Sequence, residues 1–329
     1  MNVAPSIIYN VALLFIMMVP GIIMKKCKLC SDTFGKGLSN LVLYIAQPAL
    51  VFLAYVRPYD GEILKNSLWV FIFSVVAHLI FAAAALTVFK KAPDAMRRML
   101  SYSTLFSNAA FMGIPLIAAV LEDLYPGATL YASIYNITFN LFLWSVGVYI
   151  CTNGKDADSD GIDDHDEAIR SKKSSPLVAL YHPVTVAALL GVVIFILPIE
   201  GYIPAIATEA FSMLKNLVAP LSMTVLGLRI ADMKLAGAFK DKFMYLFLAL
   251  RHIILPFAVI LVLRAVELFG LSLAFPVKAV LVIMAAAPAA SSGTMFAEKF
   301  DCDAVYVSRL VAISTILSIA TMPLMVLFI

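Results

Sequence analysis

Ten apolar runs of about twenty residues each, separated by short polar or Pro- and Gly-bearing connections, constrain this chain more than anything else in its sequence. They fall near residues 6–24, 38–56, 68–89, 101–121, 128–151, 182–197, 208–230, 243–264, 275–297 and 304–329. A helix of about 20 apolar residues crosses a hydrocarbon layer of about 30 Å, and lipid offers no partner to an open backbone, so such runs read as membrane-spanning helices. Composition agrees: 62% of the 329 residues are hydrophobic, 14% are charged and the mean hydropathy is +0.96. A soluble globule, a disulfide-stapled secreted domain and a disordered chain are all excluded. A net charge of +3 supplies no basic field for nucleic acid.

Residues 1–6 carry no basic residue and no small-residue cleavage site, so no cleaved leader is expected. Basic residues concentrate in alternate connections: Lys25, Lys26, Lys28 and Lys36, then Lys90, Lys91, Arg97 and Arg98, then Lys155, Arg170, Lys172 and Lys173, then Arg229, Lys234, Lys240 and Lys242. Retention of basic loops in the cytoplasm makes these the inner connections and puts both termini outside a multi-pass protein of the cell membrane.

The two halves resemble each other in order. Asn108-Ala109-Ala110-Phe111-Met112-Gly113 in the fourth run shares an outline with Pro288-Ala289-Ala290-Ser291-Ser292-Gly293 in the ninth, Pro48 corresponds to Pro220, and His78 to His252. Five spans per half start the second copy on the opposite side, so the repeat is inverted. The expected fold is therefore all-α: residues 1–151 as the first five-helix repeat, 152–176 as an acidic cytoplasmic linker and 177–329 as the second repeat. Gly113 with Pro115, and Pro288 with Gly293, mark expected breaks near the centres of spans four and nine. The N-terminal ends of the resulting half-helices would offer unpaired N–H donors to an anion without a full cation, which points to a carboxylate; simple kinks or close packing would use the same residues.

The stretches Ser107 to Leu116, Pro48 to Phe52 and Pro288 to Ala304 resemble the auxin efflux carrier family, especially its bacterial members. That resemblance covers nearly the whole chain. It implies a fold like that of the bile-acid sodium symporters, with spans one, two, six and seven as a scaffold, spans three to five and eight to ten as a transport domain, and helices four and nine unwound and crossed at the substrate. It places Asn108 and the backbone around Gly113, Pro288 and Gly293 at that crossing. Phe111 stands where the plant carriers have proline and their long cytoplasmic loop is absent, so auxin gives way to a small acid such as malate or malonate. Alternating access of a midplane site follows, with a coupling proton, a sodium ion or no coupling ion left open. A homodimer through the scaffold helices is a further expectation.

Polar side chains inside spans are costly and therefore candidates. Asn136 and Asn140 share a helical face and would present amides to a carboxylate or to a neighbouring helix. Ser291, Ser292 and Thr294 would contact ligand or satisfy freed carbonyls, and Gln47 would line the cavity or bond its own kink. His78 could titrate in a proton-coupled cycle or pack as a neutral ring. Arg251 and His252 are assigned coupling, gating or structural work, whereas Lys215 and Arg309 are read as snorkelling toward helix ends. Asp156 to Glu167 matches a calcium-loop pattern but lacks flanking amphipathic helices, so a solvated linker is the preferred reading. Cys27 and Cys30 make at most half a zinc site, and no metal or cofactor is expected. No HExxH, GxSxG or paired intramembrane aspartates are present, so the chain reads as a carrier rather than an enzyme; a carboxylate sensor without transport is the alternative.

Overall fold

The computed structural model describes residues 3–31, 33–153, 180–197, 199–231 and 241–329. The Asp156 to Glu167 pattern, all but the first two residues of the 152–176 linker, and Lys234 and Lys240 lie outside the described residues. Within them the chain is helical, and its one β-type contact is an isolated antiparallel bridge between Ser107 and Ala289.

The helices, in chain order, are α1 (Ile8–Lys26), α2 (Phe34–Tyr55), α3 (Gly61–Val88), α4 (Asp94–Leu105), α5 (Ala109–Val120), α6 (Ala128–Thr152), α7 (Pro183–Ile196), α8 (Ala205–Ala231), α9 (Lys242–Leu268), α10 (Phe275–Ala286), α11 (Gly293–Lys299) and α12 (Ala304–Val326). Seven of them, α1, α2, α3, α6, α8, α9 and α12, are long and apolar enough to cross a membrane; α5, α7 and α10 are apolar but shorter. α3 starts seven residues before the apolar run because the Asp60 carboxylate accepts from the N–H groups of Glu62 and Ile63, capping a polar first turn. α4 likewise begins early, at Asp94, whose carboxylate pairs with Arg97 and Arg98 one turn on.

Wide π-type turns interrupt α2, α6 and α9 and open α5. Those at Val42–Ala46, Ala109–Gly113 and Leu250–Ile254 each precede a proline at the second position of the following α-helical stretch: Pro48, Pro115 and Pro256. Proline cannot donate to the carbonyl one turn back, and the wider turn absorbs that missing bond without ending the helix.

Polar contacts gather the connections into two groups. In one, Arg98 donates to the Cys151 carbonyl at 2.7 Å, Arg97 to Asn153 at 2.8 Å, and Tyr306 to Asp241 at 2.5 Å. In the other, Arg57 pairs with Glu122 at 2.7 Å, Lys278 with Glu267 at 2.7 Å, and Arg264 donates to the Ile329 carbonyl at 3.0 Å. Helices run between these groups, so the bundle has two polar ends and an apolar middle.

Close backbone approach holds α1 to α8. A Cβ on Gly21 would sit 2.1 Å from the Thr224 carbonyl oxygen and one on Gly227 would sit 2.0 Å from that of Met18. Small residues permit this contact, which gives packing that burial from water cannot give inside lipid. Gly227→Val should therefore lower the detergent melting temperature strongly, by overpacking worth roughly 1–3 kcal/mol or more, because backbone rather than a flexible side chain must move. Gly37→Ala, where an added Cβ meets nothing within 4 Å, should leave melting unchanged, and equal melting of both variants would contradict the contact.

Candidate functional site

α4 ends at Leu105 and α5 begins at Ala109, while α10 ends at Ala286 and α11 begins at Gly293. The two unwound stretches cross and satisfy each other. Asn108 N–H donates to the Pro288 carbonyl at 2.7 Å, and Ala290 N–H donates to the Phe106 carbonyl at 2.9 Å. Groups that a broken helix frees in an apolar interior thus find partners in the opposite break, forming one rung of antiparallel sheet.

Two consecutive residues of α9 complete the junction, and the wide Leu250–Ile254 turn carries both inward. Arg251 is 0% exposed. Its guanidinium donates to the carbonyls of Thr104 (3.2 Å), Ala285 (2.9 Å) and Ala287 (2.8 and 3.1 Å), the last carbonyls of α4 and α10. The negative ends of two helices therefore converge on one fixed cation, which also lies 5.4 Å from the centre of the Phe81 ring. His252 works through Ser314. Ala289 N–H donates to Ser314 Oγ at 2.9 Å, Ser314 Oγ lies 2.8 Å from His252 Nε2, and His252 Nδ1 lies 2.9 Å from Thr321 Oγ1. Thr321 gives its own proton to the Leu317 carbonyl, so the directions close with His252 neutral: Nδ1–H donates to Thr321 and Nε2 accepts from Ser314.

The expected break at Gly113 and Pro115 is displaced. The chain unwinds at Phe106 to Asn108 instead, and Gly113 and Pro115 both lie in helical turns. The Asn108 carbonyl accepts from Met112 and Gly113 N–H at 3.1 Å, so Asn108 starts the helix. Gly113 serves close packing: a Cβ there would meet Met284 Sδ at 2.5 Å. Pro288, Ser291, Ser292 and Gly293 do lie in or against the second break. Ser291 Oγ donates to Asn108 Oδ1 at 3.4 Å, Ser292 Oγ lies 2.9 Å from Tyr102 OH, and a Cβ on Gly293 would meet Val307 at 2.8 Å.

Asn108, Asn136 and Asn140 are all buried. The side-chain nitrogens of Asn108 and Asn140, with the indole nitrogen of Trp144 on the same helix as Asn140, have no hydrogen-bond partner among the described residues. Gln47 donates to the Ala110 carbonyl at 2.6 Å, tying α2 to the first turn of α5, rather than to its own kink. His78 Nδ1–H donates to the Ser74 carbonyl, 2.7 Å away on its own helix, and its ring packs among Phe81, Tyr135, Phe139 and Phe142. It has no hydrogen bond to the crossing.

Arg229 was read from the sequence as one more basic residue of an inner loop. It reaches the crossing: Nη1 donates to the Ser291 carbonyl and, at 3.4 Å, to Thr294 Oγ1. A cavity of about 440 Å³ opens beside it, lined also by Thr294, Ser308, Arg309 and Thr315. A full cation therefore stands at the crossing, and Arg309, read from the sequence as snorkelling toward a helix end, lines the same cavity. An arginine within the apolar stretch LSMTVLGLRI was the available signal, hidden because basic loop residues lie so near in sequence.

Interrupted helices within an apolar bundle, with polar groups collected at the junction, are a recurring architecture of membrane transporters. The membrane transport protein family, that of the auxin efflux carriers, matches residues 6–326, and the chain belongs to it. No curated protein matches the chain.

Removing Arg251 orphans three buried carbonyls at once. Arg251→Leu should cost roughly 3 kcal/mol or more, at 1–3 kcal/mol per unpaired buried group, and Ser314→Ala about 1–3 kcal/mol. Thermal unfolding of the purified protein checks both, and an Arg251→Leu variant as stable as the parent would contradict the assignment.

Proposed function

We infer that this membrane transporter is a secondary carrier of small organic anions, malate- or malonate-like carboxylates, working by alternating access around the crossing. The observation that carries the reading is the junction itself: two interrupted helices meet, and the buried amide nitrogens of Asn108 and Asn140 have no hydrogen-bond partner among the described residues. Buried donors without partners cost about 1–3 kcal/mol each, and a carboxylate would repay that cost.

In this reading the chain makes ten passes, with α4 and α5 as span four and α10 and α11 as span nine, arranged as two inverted five-helix repeats. The gathering of alternate connections at two polar ends supports the count, and the antiparallel meeting of the two breaks supports the inversion. Both termini lie outside the cell membrane. Spans one, two, six and seven form the scaffold. Support comes from the contacts of Gly21 with Thr224 and of Gly191 with Tyr55 within that set. Within the other set, Ser74 bonds Thr138 at 2.7 Å and His252 lies 2.8 Å from Ser314. Among the described residues, polar bridges between the helices of the two sets include Gln47 to the Ala110 carbonyl, Tyr55 with Ser133 at 2.8 Å, and Arg229 to the Ser291 carbonyl and to Thr294 Oγ1.

Asn108→Ala deletes an unpartnered amide and one long hydrogen bond, so the fold should lose only about 1 kcal/mol while binding loses a specific donor. Uptake of labelled malate or malonate into proteoliposomes should be saturable, show counterflow, and fall about tenfold or more in Asn108→Ala. Undiminished uptake by the variant removes Asn108 from the site. Ligand binding without counterflow in the parent protein replaces the carrier with a sensor.

A further inference from the structure

We propose that Cys151 and Cys302 form an oxidisable dithiol, a modification site that a peroxide closes to a disulfide and thiol reductants reopen. Its chemistry does not depend on the carrier reading, which supplies only the side of the membrane on which it lies.

Two helix ends bring these cysteines together. Cys151 lies in the last turn of α6, which stops at Asn153 in the left-handed conformation (φ 56°). α11 stops at Lys299, and Asp301 adopts the same conformation (φ 47°). The chain turns back there, and Cys302 N–H donates to the Ala297 carbonyl at 2.8 Å. Arg98, from α4, clamps the two ends: it donates to the Cys151 carbonyl at 2.7 Å and to those of Phe300 at 3.5 Å and Asp301 at 3.4 Å. A cation between two helix C-terminal ends is favourable. Cys302 Sγ then lies 3.7 Å from the Cys151 carbonyl oxygen, and the two thiols interact directly while both remain free.

The pair is asymmetric. Cys151 is buried, whereas Cys302 is half-buried in the connection before α12, so an oxidant in water meets Cys302 first. The adjacent Cys151 thiol, and then the Arg98 guanidinium, hold the Cys302 thiol below the ordinary cysteine range, against partial burial and the carboxylates of Asp301 and Asp94. The thiolate is the nucleophile. Cys302 sulfur attacks one oxygen of hydrogen peroxide, the O–O bond breaks, and the departing hydroxide takes the proton the thiol released, leaving a sulfenic acid. Cys151 sulfur attacks that sulfur, and water leaves with the Cys151 proton as the S–S bond forms. The two sulfurs lose two electrons, and the peroxide becomes two waters. In the proposed topology this end faces the cytoplasm, where reductants keep thiols reduced, so the disulfide marks exposure to oxidant rather than the resting protein. The bond joins α6, which carries Asn136 and Asn140, to the end of α11, and so braces the two helices against each other.

Peptide mass spectrometry of the purified full chain, reduced and then treated with hydrogen peroxide, tests this. The parent protein should yield a Cys151–Cys302 cross-linked peptide, formed within one chain and lost on treatment with dithiothreitol. In Cys151→Ser the reaction should stop at a Cys302 sulfenic acid that dimedone captures, and in Cys302→Ser the Cys151 thiol should stay reduced. A variant carrying both Cys27→Ser and Cys30→Ser should form the bond as the parent does. Hydrogen exchange should slow at the end of α6 and in the turn after α11 once the bond has formed; unchanged exchange there overturns the bracing. Oxidation of Cys302 to sulfinic or sulfonic acid with Cys151 left free overturns the proposal. A Cys27–Cys30 bond alone, or a link only between two chains on a non-reducing gel, overturns it as well.

Discussion

Backbone groups released inside an apolar bundle have to be satisfied, and most of this structure answers that requirement at one junction. Two helices stop within the bundle, and lipid or packed side chains could not hydrogen-bond what they release. The breaks solve the problem reciprocally, through Asn108 with Pro288 and Ala290 with Phe106. What remains is taken by α9 and α12: Arg251 collects the carbonyls that end α4 and α10, and Ser314, oriented by His252, collects the N–H of Ala289. Arg251 needs no carboxylate in that position, because converging helix C-terminal ends stabilise a cation.

Satisfying the backbone so fully makes the junction rigid, and this bears on function. A carrier that moves its site must keep the binding geometry intact while something else slides. Here the junction is braced by α9 and α12, whereas α2 and α8 each reach it through one side chain, Gln47 and Arg229. The glycine contacts that lock α1 against α8 lie on the other side of that boundary.

Much of this architecture was legible in the sequence. Apolar runs located the helices, since lipid allows few alternatives to a continuous apolar helix, and the order of matched residues in the two halves pointed to spans four and nine. The break in span four was misplaced because proline and glycine are the usual marks of interruption. A π-type turn before Pro115 absorbed its missing donor, and Gly113 was needed for contact with Met284. The boundary falls at Asn108, whose carbonyl rather than its side chain accepts the first bonds of α5. Arg229 was missed for a different reason: orientation statistics treat cations at span ends as loop charges, and nothing in linear sequence says which of them turns inward.

The central claim is that a small carboxylate occupies the crossing and its adjoining cavity. A cryo-EM map of the protein saturated with malonate tests it most directly. The account predicts ligand density bounded by Asn108, Ser291 and Arg229, with the Phe106 to Asn108 and Ala287 to Ser292 stretches still unwound. Density bound elsewhere with that space filled by side chains, or two helices continuous through the junction, would contradict it.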